Sequence, residues 1–546
     1  MGYDVMVRVG LARFVEYRQR EEIRASLAAE GISLSTGTIS ELGRSFLTYL
    51  ERLHLSRADR LRAALESDGG WPLHVDATGE QGRGTLLIAL AGWRRWVLGA
   101  WKLPTERADA ILPCLQSVAK SFGAPCAAVR DLGKAVIEAL EQFVASLGLA
   151  IRIFSCHLHF LRDIGNDLLK ESHDQLRELV RSLKIRTNLA ALVRDLSRDL
   201  GSELSVAREQ VRQWHKHLEQ GHRLPEGPTG VACVRAWALW VLDYAADGHD
   251  DGFPFDRPYL DLYKRGGHMR RAIDAYLRQP PASRAASRAL NRLGRILQPL
   301  RDDARFTRVA KTLSMRVVLF EKLREALRLR PKPSGRRSTT PTATPSIEQA
   351  TRELRDIRKA VLELRGWLKN NRPERGPAEP QRKAFDIILK HLDTHGRSLW
   401  GHVIHVSQPA SGTTKVLIVD RTNNVDEHWF HGQKHDERRR CGRKNLAQDF
   451  EQLPAQAAYA RNLLIPDYVE LVCGSLDRLP AAFAELDRHQ LDAAAERQPP
   501  FLGIVTAPVS ASLPKVDRKL VREPALEAKI LAAARSRAPT INLNRI

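Results

Sequence analysis

Long apolar runs are missing from this 546-residue chain. Nowhere do about twenty apolar residues follow one another, which excludes a membrane-spanning helix of the ordinary kind. The first thirty residues carry charges where a secretory leader needs an apolar stretch, so the expectation is a soluble, cytoplasmic protein. Cysteine is scarce as well. Six cysteines, at 114, 126, 156, 233, 441 and 473, have neither zinc-finger nor disulfide-framework spacing and read as ordinary buried thiols of a reducing compartment. Acid is the third deficit. Against 86 Lys plus Arg there are 64 Asp plus Glu, a net +22 that favours a polyanion, either nucleic acid or an anionic membrane surface. Charge alone does not choose between them. At ~100 to 200 residues per domain, the length leaves room for about three or four domains.

What is present begins with helices. Residues 17 to 54 read as two helical segments, Tyr17 to Ala29 and Thr38 to Leu53, around the break Gly31-Ile32-Ser33-Leu34-Ser35. That is helix-turn-helix spacing, with Ser35 or Thr36 able to cap the second helix and Ile39, Leu42, Phe46 and Leu50 on its inner face. Arg44 then points outward, toward a phosphate or base edge; a helical hairpin that only packs is the alternative. From Trp71 the pattern changes to three short antiparallel strands, at Leu73 to Asp76, Thr85 to Ala91 and Trp96 to Leu103, followed by a helix from Glu106 to Phe122. A strand at Cys126 to Arg130, a helix at Leu132 to Ser146 and a strand at Leu149 to Phe154 complete the series. The order resembles that of a ribonuclease-H-like domain, an α/β fold with a mixed sheet and helices on its faces.

The expected domains are a helical, DNA-binding region over 1–68, the first part of an α/β core over 69–172, an all-helical insertion over 173–400, the second part of the core over 401–465, and a C-terminal region over 466–546 with no assigned role. The Pro/Ser/Thr-rich 331–345 and the stretch 372–381 read as connections within the insertion. Between them Ile347, Ala350, Leu354, Ile357, Val361, Leu364 and Leu368 form a heptad seam, for packing within the insertion or for dimerisation. Lys415 to Val419 reads as a strand that resumes the sheet, with a helix from about Asn424.

Asp76 and Asp131 each end a strand. Residues at the carboxyl ends of neighbouring parallel strands meet at one edge, where such folds place their ligands. Two adjacent carboxylates repel unless a cation lies between them, and hard oxygen ligands without His or Cys select Mg²⁺ or Mn²⁺. A further acid would hold a second ion and complete a clamp on a phosphodiester. Glu427, one turn into its helix, is the candidate, although Asn424-Val425-Asp426-Glu427 also fits a capping box. Glu80 in a turn and Asp163 beside Arg162 are other acids nearby.

Four blocks carry a resemblance: Leu73-His74-Val75-Asp76-Ala77-Thr78-Gly79-Glu80, Val129-Arg130-Asp131-Leu132-Gly133, Cys156-His157-Leu158-His159-Phe160, and Arg421-Thr422-Asn423-Asn424-Val425-Asp426-Glu427. In order they resemble the signature blocks of bacterial DDE transposases and their Mutator-like relatives, over about residues 20 to 170 and 400 to 465. The resemblance implies Asp76, Asp131 and Glu427 as catalytic ligands of two Mg²⁺ or Mn²⁺ ions, Cys156 and His159 as a C-x-x-H pair, and Asn423 and Asn424 as part of the Glu block. Two ligands do not close a zinc site, so Cys156 and His159 are expected to be structural or DNA-orienting.

Downstream, His431, Lys434, Arg438, Arg439, Arg440, Arg443 and Lys444 are dense in cations. Glu427, His431, Lys434 and Arg438 would share one helical face leading from the metal site into a phosphate-tracking stripe; a solvated face is the alternative. Trp214, Trp237 and Trp240 suit core packing, or stacking on an unpaired base. The resemblance implies a transposase that binds terminal inverted repeats and target DNA, as a homodimer in the synaptic complex, in the bacterial cytoplasm at the nucleoid and without a membrane. The rivals are a structure-selective nuclease or resolvase of the same fold, and a DNA-binding regulator that has lost its chemistry.

Overall fold

The computed structural model describes residues 2–80, 83–198, 200, 227–242, 252–278, 281, 283–329, 346–376, 378–407 and 414–496. Trp214 and the connection 331–345 lie outside the described residues. The chain divides into a unit of residues 1–486 and a second of 487–546, of which only the end of one helix is described. No helix among the described residues is long and apolar enough to cross a membrane.

The first unit is a mixed α/β structure, mostly helical, around a five-stranded sheet of order β3-β2-β1-β4-β5. Strands β1 (Pro72–Glu80), β2 (Arg83–Ala91) and β3 (Trp96–Lys102) form an antiparallel meander. The tight turn before β3 is made with Arg95 in the left-handed region, at φ 58°. Strands β4 (Ala127–Arg130) and β5 (Arg152–Ser155) then add parallel to β1, each reached through a crossover helix, α5 (Ala108–Phe122) and α6 (Lys134–Leu147). Parallel neighbours require such crossovers. All four residues of β4 are buried, as expected of a strand covered on both faces. Ala128 joins the core built with α5 and α6, whereas Ala127 and Val129 pack with Phe154, Ile404 and Val419 on the opposite face.

Three helices precede the sheet: α1 (Tyr3–Phe14), α2 (Arg20–Ala29) and α3 (Thr36–Ser56). The expected cap is present, with Ser35 Oγ accepting from Thr38 N at 3.0 Å. Val9, Ala12, Ile23, Leu27 and Ile39 make a small trihelical core. The rest of α3 does something the helix-turn-helix pattern did not announce: Phe46, Leu47, Leu50 and Leu53 enter the sheet's own core. Buried His54, near its end, bonds Tyr468 across 2.8 Å and the Leu98 carbonyl at 3.2 Å. The N-terminal helices are thus built into the sheet unit. A fourth helix, α4 (Ala58–Ser67), leads into β1.

After β5 the described chain is helical as far as residue 399: α7 (His157–Ser182), α8 (Ile185–Ser197), α9 (Gly227–Leu242), α10 (Pro258–Leu277), α11 (Arg284–Leu297), α12 (Pro299–Asp302), α13 (Ala304–Ala326), α14 (Ile347–Asn370) and α15 (Glu379–His395), closed by a 3₁₀ turn at Gly396–Leu399. These helices share a hydrophobic core of their own. The heptad seam of α14 packs inside the molecule: Ile357, Val361 and Leu368 are buried against α13 and α15, while Ile347 at its start is 49% exposed. Trp237 is buried, and Trp240 stacks under Arg265 at 5.5 Å, so both belong to the packing.

The chain returns at β6 (Val403–Ser407) and β7 (Thr414–Ile418), and one expectation is corrected. Lys415 to Val419 does not extend the five-stranded sheet. β7 pairs antiparallel with β6 in a separate two-stranded sheet, which lies over β4 and β5 through Ile404 and Val419. Helix α16 (Asn424–Cys441) follows and starts where expected. Beyond it, α17 (Ala447–Gln452), a 3₁₀ segment at Ala455–Leu464, α18 (Pro466–Cys473) and α19 (Leu479–Glu496) contribute Phe450, Tyr459, Tyr468 and Phe483 as buried side chains. Residues 466 to 486, without an assigned role in the sequence, therefore complete the sheet's core.

Candidate active site

The parallel register sets the first two acids. Val75 of β1 pairs with Arg130 of β4, and Arg130 pairs with Ser155 of β5. The next residues, Asp76, Asp131 and Cys156, therefore stand in one row, spaced by the ~4.8 Å of neighbouring strands. Asp131 and Cys156 follow the carboxyl ends of β4 and β5, whereas Asp76, expected to end its strand, is the middle residue of β1, which runs on beside β2 to Glu80. Asp76 Oδ1 accepts from Ala77 N at 2.8 Å, and Asp131 Oδ1 accepts from Gly133 N at 3.1 Å. Gly133 matters here: a Cβ at this position would stand 3.3 Å from both Asp131 carboxylate oxygens.

The third position depends on a tether. Asn423, fully buried, accepts at Oδ1 from His74 Nδ1 at 2.7 Å and reaches the Val75 carbonyl with Nδ2 at 3.5 Å. Its backbone N–H donates to Cys156 Sγ at 3.0 Å, and the Arg421 carbonyl accepts from His157 N at 2.9 Å. These bonds fasten the start of α16 over β1 and β5. Further along the helix, Lys434 Nζ donates to the Gly79 carbonyl at 3.0 Å. From Asn423 to Lys434 the helix advances roughly 16 Å, and from Val75 to Gly79 β1 advances roughly 13 Å, so the two run side by side in one direction. The backbone of residue 427, about 6 Å past Asn423, is level with Asp76 or Ala77. The Glu427 and Glu80 side chains lie outside the described residues, as does that of Asn424. The capping-box alternative is answered by the backbone. The N-cap is Asn423, one residue earlier than that motif requires, which puts Glu427 at N4 rather than N3.

Cys156 is structural in a specific sense. It caps α7, its sulfur accepting from His159 N at 3.5 Å as well as from Asn423 N, and so joins two helix starts. His159 is close to Asp131; burial first, then Arg162, pulls its imidazole down to about 4, while Asp131 pulls the other way. Two residues were not singled out from sequence. Glu106, before α5, has its carboxyl raised by desolvation and then by the negative charge of Asp131. Arg130 is 7% exposed, and its Nε and Nη1 meet no hydrogen-bond partner among the described residues. Burial lowers this guanidinium, and Glu141 and Asp131 oppose the effect. Arg130 lies within a signature block and could have been noticed there as a cation in an otherwise apolar strand; nothing local marks Glu106. Asp163 has His391, Asp167 and Arg162 as its charged neighbours, and burial raises it.

The donor set suits a hard divalent cation. Asp76 and Asp131 follow residues paired across neighbouring parallel strands, and carboxylates offer the hard oxygen donors such ions prefer. Among the described residues no group of three His, Cys, Asp or Glu side chains is placed to hold a metal ion.

The cationic segment differs from the expected stripe. Lys434 is half-buried on Gly79 and over the Phe450 ring, and Arg438 Nε bonds the Lys444 carbonyl at 3.4 Å. Arg440 is paired with Glu437 and Asp449, and Arg443 with Asp449. Trp429, Phe430, Gln433 and Glu437 form the inner face. The outward row is His431, His435 and Arg439, continuing to Arg443 and Lys444 in the loop. Arg44 is exposed on α3, as expected. No family model matches the chain, and no curated protein matches it either.

Proposed function

We propose that the chain is a DNA transposase that cleaves strands at element ends and joins the freed 3′-hydroxyl to target DNA by two-metal phosphoryl transfer. One observation carries the reading: Asp76 and Asp131 are neighbours on adjoining parallel strands, Asp131 just past the end of β4, and the helix bearing Glu427 is tied beside them through Asn423. The strand order, an antiparallel meander with two parallel strands added beside β1, supports a ribonuclease-H-like core. Asp76, Asp131 and Glu427 would hold Mg²⁺ or Mn²⁺. Such ions activate the attacking oxygen and steady the leaving one. Gly133, whose N–H donates to Asp131 Oδ1 and whose missing Cβ leaves room for the carboxylate, holds the second aspartate in place. Exposed Arg44, Arg439, Arg443 and Lys444 would meet phosphates, and a homodimer would hold two element ends together.

The test uses the full chain, Mg²⁺ and a labelled duplex carrying the inverted repeats that flank the coding sequence. Nicking at the repeat end and a strand-transfer product are expected, both lost in Asp131→Asn. Nicking of branched DNA without repeat preference or strand transfer would identify a nuclease or resolvase instead. Repeat binding with no metal-dependent cutting would identify a regulator.

A further inference from the structure

Helix α11, far along the chain from the carboxylates, has an unusual outer face. Its sequence, Arg-Ala-Ala-Ser-Arg-Ala-Leu-Asn-Arg-Leu-Gly-Arg-Ile-Leu, has four arginines and no acid. Ala286, Ala289, Leu290, Leu293, Gly294 and Leu297 are buried in the helical core. Arg292 is paired with Asp195 at 2.7 Å. Arg284, Arg288 and Arg295 are exposed along the opposite face, and none of the three forms an ion pair among the described residues.

Several exposed cations on other helices are paired within their own helix. Arg24 has Glu21, Arg62 has Glu66, Lys170 has Asp174 and Lys383 has Glu379, each one turn away. Like charges four residues apart, as at Arg284 and Arg288, cost a helix roughly 0.2 to 0.5 kcal/mol. A polyanion would relieve that repulsion. Guanidinium forks suit phosphate oxygens better than ammonium groups do. From Arg284 to Arg295 the face spans about 16 Å, the length of roughly five base pairs. An anionic membrane is disfavoured, because the apolar face of α11 is already buried in the protein and has nothing to insert into lipid.

We propose that Arg284, Arg288 and Arg295 form a second DNA-binding surface, on the helical insertion, that grips the phosphate backbone of a duplex without reading its sequence. That the polyanion is DNA rests on the function proposed above; the charge arrangement does not.

Binding of the full chain to a labelled duplex of unrelated sequence, by fluorescence anisotropy with metal chelated and across a salt series, tests this. Each lost phosphate contact flattens the slope of log K against log salt by about 0.9, so Arg284→Gln/Arg288→Gln/Arg295→Gln should flatten it by about 2.7. The triple Lys variant should keep most of the parent's slope, because the charge remains. A Gln variant with the parent's slope overturns the proposal, as does a Lys variant that loses as much as the Gln variant. A parent that ignores the duplex but binds vesicles of anionic lipid also overturns it. Since no cleavage is read, an inactive Asp131→Asn protein gives the same binding result. Failure of the carboxylate reading and failure of this one are therefore separable.

Discussion

Asn423→Ala probes the link between fold and site most directly. The substitution removes the Oδ1 that accepts from His74 Nδ1 at 2.7 Å. His74 is fully buried and its Nε2 already has no partner among the described residues. No water would reach the orphaned N–H. A buried donor left unmade costs about 1 to 3 kcal/mol, and the long bond to Val75 adds little to that. The backbone N–H of residue 423 still donates to Cys156 Sγ, so α16 keeps one of its tethers and the protein still folds. The expected result is a loss of roughly 2 kcal/mol in denaturant-induced unfolding. Metal-dependent nicking should fall further than the folded fraction explains, because the Glu427 position is no longer pinned beside Asp76. His74→Leu separates the two contributions. Replacing both partners with apolar groups removes the unmet bond, so the double variant should be more stable than the sum of the single losses by about 1 kcal/mol or more. Additive single losses, or an Asn423→Ala protein as stable as the parent, would refute the tether.

Asp131→Asn should lower Mg²⁺-dependent strand cleavage by about a hundredfold or more, equal to roughly 2.7 kcal/mol of transition-state stabilisation, and leave the melting temperature within a few degrees of the parent's. Gly133→Ala acts only on the neighbouring carboxylate, since Gly133 has an ordinary φ of −62°; cleavage should drop about tenfold with stability unchanged, and an unaltered rate would remove the cradle argument. Acid should unfold the protein early. Buried His54, His157 and His173 are held down to about 4 from an ordinary 6.5, chiefly by desolvation, so their contribution is intact above pH 6.5 and is lost as the pH falls toward 4. At one unit below the ordinary value each costs about 1.4 kcal/mol, some 4 kcal/mol together, and a denaturation midpoint that stays flat from neutrality to that pH would contradict it.

Most elements were legible because they depend on local periodicity. Strands β1 to β5 and helices α5 and α6 lie within a few residues of where alternation and 3.6-residue spacing place them. What could not be read was the choice of partner. Lys415 to Val419 alternates in the same way whether it joins the main sheet or a hairpin, and the pairing with β6 is decided by a strand whose own pattern is weak. Periodicity likewise says that Glu427, His431, Lys434 and Arg438 are neighbours on a helix. It does not say which side turns inward, and here burial of Trp429 and Phe430 draws Lys434 down onto Gly79 and leaves His431 outside. Cys156 is the clearest case. Its spacing to His159 suggests ligands, but its sulfur accepts an amide from a residue 267 positions later, a bond no local pattern could indicate.

That distance also explains how so large an insertion is compatible with so exacting a site. Ser155 and Ser398 are joined through their hydroxyls at 2.7 Å, and His157 Nε2 bonds the Leu399 carbonyl at 2.9 Å. The two ends of the helical segment therefore meet at the edge of β5. Closing a flexible loop costs only about 0.6 kcal/mol more for each doubling of its length, so insertion size alone is a weak burden. The burden is lighter still when the inserted residues bury a core of their own, as α7 to α15 do. The alignment of Asp76, Asp131 and the Glu427 position then depends on the short stretch from Arg421 to Asn423 clasping β1 and the start of α7, and on the insertion where it holds that stretch, Arg421 donating to the Leu327 carbonyl at 2.6 Å and to the Arg328 carbonyl at 3.2 Å. Changes deep in the insertion should alter what the protein holds, whereas changes at Asn423, Cys156 or His74 should alter whether the carboxylates meet at all.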